Sequence, residues 1–177
     1  MALPDPLRIL LVVVACAAGI IDIRTRRIPN WLCAAGLVAG FAARFYLEGA
    51  QGLLIAAEGF GLATLIYLPL WLLRGMGAGD VKLMAALGAI AGPKQWFVLF
   101  IASAIVGAAL ALVVVMRRGR LGATAMNTLY LAKELVLLRA PWKALPQTDF
   151  RHEEALRIPH GAAIGAAALV LAWMGWI

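Results

Sequence analysis

Val81-Lys-Leu-Met-Ala-Ala-Leu-Gly-Ala-Ile-Ala-Gly92 is an apolar run of a dozen residues, short for a bilayer crossing, and whether it crosses decides the fold. Longer apolar runs lie at 7–23, 31–47, 52–73, 95–116 and 161–177. If all six cross, 13 of the 16 Lys and Arg residues fall on one side: Arg24, Arg26, Arg27, Arg74, Lys82 and every basic residue from Arg117 to Arg157. Arg8, Arg44 and Lys94 fall on the other, which is the asymmetry of the positive-inside rule with both termini outside. A re-entrant 81–92 would carry the Arg117-Arg-Gly-Arg120 cluster outside, so the run is read as a crossing. The expected fold is an all-α polytopic membrane bundle of about six transmembrane helices.

Composition agrees. With 64% apolar and 14% charged residues and a mean hydropathy of +0.91, a soluble domain is excluded. The 177 residues fit one integral-membrane domain. Topology accounts for the net charge of +7, so no nucleic-acid partner is invoked. Cys16 and Cys33 lack CxxC spacing and read as small buried apolar residues, with neither a disulfide framework nor a zinc site. No cofactor or metal is expected. The first run is expected to stay in place, although Val13-Val-Ala-Cys16 looks like an acylation site, because the heavy positive charge follows the run instead of preceding it. Residues 117–160 form the long polar stretch on the basic side. Within it 123–139 has the pattern of an amphipathic surface helix, and Pro141 and Pro146 make 140–159 a loop. Gly36 to Gly40, Ala57 to Gly61 and Gly59 to Ala63 have the small-xxx-small spacing of close helix contacts.

Two aspartates carry the chemistry, Asp22 in Asp22-Ile-Arg-Thr-Arg-Arg-Ile-Pro-Asn30 and Asp80 in Gly77-Ala-Gly-Asp80-Val-Lys-Leu83. An ionisable group in a membrane is costly and marks a functional site by default. On the topology above both lie at the inner ends of spans, distant in sequence but matched in depth. Two such carboxylates would share a proton, so that one takes a proton from water while the other polarises a carbonyl. The glycine-rich break at 75–79 sets Asp80 at a helix start, which favours it as the ionised member, whereas Asp22 near a helix C-terminus meets the opposite bias. Taken singly, Asp22 could merely pair with Arg26 and Asp80 merely cap its helix. Lys82 either snorkels to the headgroups or biases Asp80 and contacts substrate. Arg24, Arg26 and Arg27 read as topology determinants. Asn30 reads as the N-cap of the second span after Pro29. His152 and His160 read as polar loop residues. Glu58 falls inside the third span, where it would be kept neutral, accept hydrogen bonds or line a polar cavity.

These motifs resemble those of the type IV prepilin peptidases, within the GxGD class of aspartyl proteases. Asp22 followed by Ile28, Pro29 and Asn30 matches the first motif of that family; Gly77, Gly79, Asp80, Lys82 and Leu83 match the GxGDxKL second. The resemblance implies a bacterial inner-membrane enzyme that removes the short basic leader of prepilins or pseudopilins at the cytoplasmic face, with Asp22 and Asp80 as the catalytic pair. Larger members carry a region with two CxxC pairs associated with N-methylation. Nothing here corresponds to it, which implies the short form found with tight-adherence (Flp-type) pili, without methyltransferase activity. Short forms often have Pro-Tyr-Gly before the last span, where this chain has Pro159-His160-Gly161. Anionic lipid and the acidic residues Glu134, Asp149, Glu153 and Glu154 are expected to aid approach of a basic leader. Two other classes also place carboxylates among spans: an ion-coupled transporter, whose best feature is Glu58, and a non-catalytic assembly protein of a pilus or secretion complex.

Overall fold

The computed structural model describes residues 3–73, 76–117, 119, 122, 126, 129, 130, 133 and 160–177. Its four helices are α1 (Asp5–Thr25), α2 (Asn30–Leu72), α3 (Ala78–Arg117) and α4 (His160–Trp173). By length and composition α1, α2 and α3 suffice to cross a membrane, and α4 is a shorter apolar helix. The surface helix expected over 123–139 lies mostly outside the described residues, as do the loop 140–159, His152 and the acids Glu134, Asp149, Glu153 and Glu154.

α2 and α3 each contain one residue that is not helical, Gly49 (φ 62, ψ −143) and Gly92 (φ 75, ψ 169). Both lie at positive φ, where a side chain would be strained. The chain doubles back at each. Across Gly49, the Arg44 carbonyl lies against Gly52, eight residues further on. Across Gly92, the Trp96 indole Nε1 donates to the Met84 carbonyl at 3.0 Å. In a straight helix those groups would stand more than about 10 Å apart. The four helices therefore comprise six segments, and the six apolar runs of the sequence fall one in each.

The segment 78–91 is the hub. Gly36 and Gly40 of the outgoing half of α2 meet Ala86 and Ile90, while Gly59 of the returning half meets Gly88 backbone to backbone. One half of α2 thus runs parallel to this segment and the other antiparallel. From Asp80 to Gly92 every residue except Lys82 is buried. That explains why the run is so short: surrounded by other segments, it need not match the thickness of the lipid. The anticipated contacts Gly36 to Gly40 and Gly59 to Ala63 are both used internally. Ala57 and Gly61 face outward instead, with open space above Gly61.

Three polar residues depart from the sequence reading. Glu58 is exposed on the outer face of α2 and has no hydrogen-bond partner among the described residues. Arg44, counted among the few charges of the outer side, is only 4% exposed. Its Nε and Nη2 donate to the Ile90 and Ala91 carbonyls at 3.1 and 2.7 Å, and Nη1 holds Glu48 at 2.8 Å. It supplies partners to carbonyls that the break at Gly92 leaves without helical donors. Asn30 is the first residue of α2; Pro29 occupies the cap position and makes no side-chain cap bond, so the predicted Asn30 cap is corrected.

Candidate active site

The first motif is a helix end, a reversal and a helix start. α1 stops where Arg26 adopts the left-handed conformation (φ 56), its N–H bonded to the Asp22 carbonyl. Thr25 Oγ1 tightens the end, lying 2.9 Å from the carbonyls of both Ile21 and Arg27 and donating its one proton to either. Pro29 is extended and feeds Asn30 into α2. Asp22 is thereby fixed in the last turn of α1, on the face that packs inward.

The second motif starts α3. Asp80 is its third residue, and its carboxylate accepts a hydrogen bond from the Gly77 amide while its own N–H donates to the Gly77 carbonyl at 3.2 Å. This is the reach-back half of a capping box, two positions inside the helix instead of at the cap. Gly79 is required by a close approach and not by a special backbone angle, since it lacks positive φ. A methyl group there would lie 3.2 Å from Ile28 Cβ.

The structure brings both motifs together with the start of α4. Ile28 packs between them: a methyl group on Gly161 would lie 3.2 Å from Ile28 Cδ1 and 3.0 Å from Asp22 Oδ2. Gly161 N–H donates to Asp22 Oδ2 at 2.9 Å. Asp22 and Asp80 are buried, at 7% and 8% exposure, and lie within electrostatic range of one another. Each carboxylate is thus held by the backbone amide of a glycine at a helix N-terminus, a charge-favouring end. This removes the asymmetry by which the sequence favoured Asp80 as the ionised member, because α4 supplies to Asp22 the positive end that α1 denies it.

Lys82 Nζ donates to Asn30 Oδ1 at 2.8 Å, which joins the two motifs directly. Neither expected role of Lys82 describes this contact. A double-mutant cycle of Lys82→Met and Asn30→Ala on unfolding free energy should give a coupling of about 0.5–1 kcal/mol, modest because the pair is exposed. A coupling of zero would return Lys82 to the headgroups or the substrate. Beside Asp80 opens an apolar cavity of about 460 Å³, lined by residues including Cys33, Leu37, Phe60, Val81 and Ala85, with Asn30 and Lys82 also in its wall.

Tyr67 and His160 were not recognised as site residues. Tyr67 is 2% exposed, packs edge-on against Trp96 and Phe100, bonds Ser103 and lies within electrostatic range of Asp80. His160, read as a loop residue, is instead the first residue of α4, with its ring centroid 6.5 Å from that of Tyr67 and Asp22 within electrostatic range. A signal for this corner existed in the sequence. Gly161 and Gly165 form a small-xxx-small pair that packs on Gly19 and Ala15 of α1, so α4 was bound to approach Asp22 closely. Among the described residues no group of three His, Cys, Asp or Glu side chains is placed to hold a metal ion.

Comparison with known proteins places the chain in a family. The chain is 35% identical over 117 residues to a prepilin leader peptidase/N-methyltransferase of Xanthomonas campestris pv. campestris, an alignment covering 59% of this chain and 38% of that protein. The chain therefore spans well under half the length of that relative. No solved structure matches it. The profile of the type IV leader peptidase family matches residues 9–112, a stretch that contains Asp22, Asp80 and both motifs, and the chain belongs to that family.

Proposed function

We propose that this protein is a membrane-embedded aspartyl endopeptidase that removes the leader of prepilins or pseudopilins, with Asp22 and Asp80 as its catalytic pair. The observation that carries this is the convergence of two buried carboxylates, each anchored by one backbone amide, which leaves the remaining oxygen lone pairs for water and substrate. One carboxylate takes a proton from water as the hydroxyl adds to the scissile carbonyl; the other, protonated, donates to the carbonyl oxygen. When the tetrahedral adduct collapses, the C–N bond breaks and the departing amine takes a proton, leaving a carboxylic acid and a new N-terminus. Gly77, Gly79, Ile28, Pro29, Asn30 and Lys82 support the pair by position and do not react.

The alternation of segments supports six crossings. The reversals at Gly49 and Gly92 lie at one face; the end of α1, the start of α3 and Arg117 lie at the other, with most of the positive charge. The positive-inside rule makes the latter the cytoplasmic face of a bacterial inner membrane and puts both termini outside. Single cysteines in a Cys16→Ala, Cys33→Ala background should label from outside at residue 49 and from inside at residue 119; labelling of both from one side would overturn this. The 177 residues contain no CxxC pair, which supports cleavage without N-methylation, as in the short Flp-type members. Anionic lipid is the expected surface partner. The transporter reading loses its main support because Glu58 lies on the outer face.

The direct test is incubation of the purified protein in lipid with Flp-type and other prepilins, reading the new N-terminus by mass spectrometry. Leader removal at one defined bond is expected. Intact prepilins throughout would leave a non-catalytic assembly role.

A further inference from the structure

His160 holds an unexplained feature. Its Nε2 is closed to solvent and has no hydrogen-bond partner among the described residues. Buried polar atoms are nearly always paired, so an orphan among packed helices calls for a partner. The ring sits among three elements: Asp22 of α1 lies within electrostatic range, the Tyr67 ring of α2 lies 6.5 Å away, and Nδ1 faces Gly107 of α3 at 3.7 Å from where a methyl group there would lie. The neighbouring residue, Gly161, gives its amide to Asp22. Whatever pairs with Nε2 therefore stands next to the catalytic carboxylate.

We propose that His160 is a substrate-binding residue of the cleavage site, whose Nε2–H donates a hydrogen bond to a backbone carbonyl of the peptide segment being cut. A backbone carbonyl is the acceptor that a peptide brings whatever its side chains, and it arrives with the substrate into a spot that bulk water does not reach. This rests on the peptidase reading above. It gives α4 two adjacent roles: the Gly161 amide orients the carboxylate, and the His160 imidazole orients the peptide beside it.

The side chains that mimic each ring nitrogen separate this role from a packing one. The Gln amide nitrogen reaches the place of His Nε2, whereas the Asn amide nitrogen reaches that of Nδ1. We expect H160F to cut prepilin with kcat/KM about 10- to 100-fold below wild type while its unfolding temperature is unchanged or higher. H160Q should recover to within about fivefold of wild type, and H160N should fall with H160F. A H160F enzyme with wild-type kcat/KM, or Gln and Asn variants that fall alike, overturns the proposal. Should the variants fail to fold, the wild-type chain and Asp80→Asn provide the second measurement. Diethyl pyrocarbonate should modify His160 slowly, and prepilin bound to Asp80→Asn should block it entirely; modification unaffected by bound prepilin also overturns the proposal. Cleavage by wild type and its loss in Asp80→Asn, alongside an unaltered H160F, would remove the His160 role alone. A wild type that cuts no prepilin overturns both readings.

Discussion

Asp22→Asn and Asp80→Asn should each lower prepilin cleavage by about 10⁴-fold, the upper end of what general acid–base groups supply, because in the proposed mechanism the pair works through one shared proton and either change removes it. Both variants should remain folded. The Asn carbonyl oxygen can still accept the Gly161 amide at residue 22 and the Gly77 amide at residue 80, so the anchoring bonds survive while the acid–base function does not. Asp22→Ala behaves differently. It removes the acceptor as well, leaves the Gly161 amide unpaired inside the bundle and costs about 1–3 kcal/mol of stability besides activity. Cleavage rates and thermal unfolding measured together in detergent separate the two effects. An Asn variant that retains a tenth or more of wild-type turnover would remove that residue from the pair.

Arg44→Met should be the most destabilising single change outside the site, by about 3–5 kcal/mol, the scale on which breaking a buried ion pair from one side operates. Three partners lose their donor at once: the carbonyls of Ile90 and Ala91 at the break in α3, and the carboxylate of Glu48. Arg44→Lys should recover little of this, because an ammonium cannot hold two carbonyls and a carboxylate in the planar fork that guanidinium offers. The segment 78–91 separates this staple from Asp80 by eleven residues, or about 16 Å of helix. The folded fraction of Arg44→Met should therefore cut prepilin at the wild-type rate. Unfolding within about 1 kcal/mol of wild type would show that the carbonyls find other partners.

Some residues told their roles from sequence and others did not. The six apolar runs, the two aspartates and their motifs were legible because hydropathy and charge asymmetry are local, and because an acid in an apolar run has few innocent explanations. Arg44, Asn30, Lys82, Glu58 and His160 were not. A charged residue near a reversal looks like a loop residue until the neighbouring segment is seen to present carbonyls to it. Asn30 looked like a cap because it follows Pro29, yet its acceptor is taken by Lys82 from another helix. Which way a residue faces on a helix that is apolar all round has no signal in the periodicity, so Glu58 could be placed in depth but not on a face.

By itself the sequence determined that this chain lives in a membrane and where its apolar segments begin and end, and it marked two carboxylates as the candidate site, since each follows from the free energy of moving residues between water and lipid. The tertiary structure alone decided that the short run 81–92 is a buried hub, that α4 brings the Gly161 amide and His160 to Asp22, and that the two buried aspartates lie within electrostatic range of one another. Those outcomes depend on backbones approaching where glycines meet, at Gly59 with Gly88 and at Gly19 with Gly161. Contacts of that kind join residues far apart in the chain, and no local pattern in the sequence specifies which partner each glycine will find.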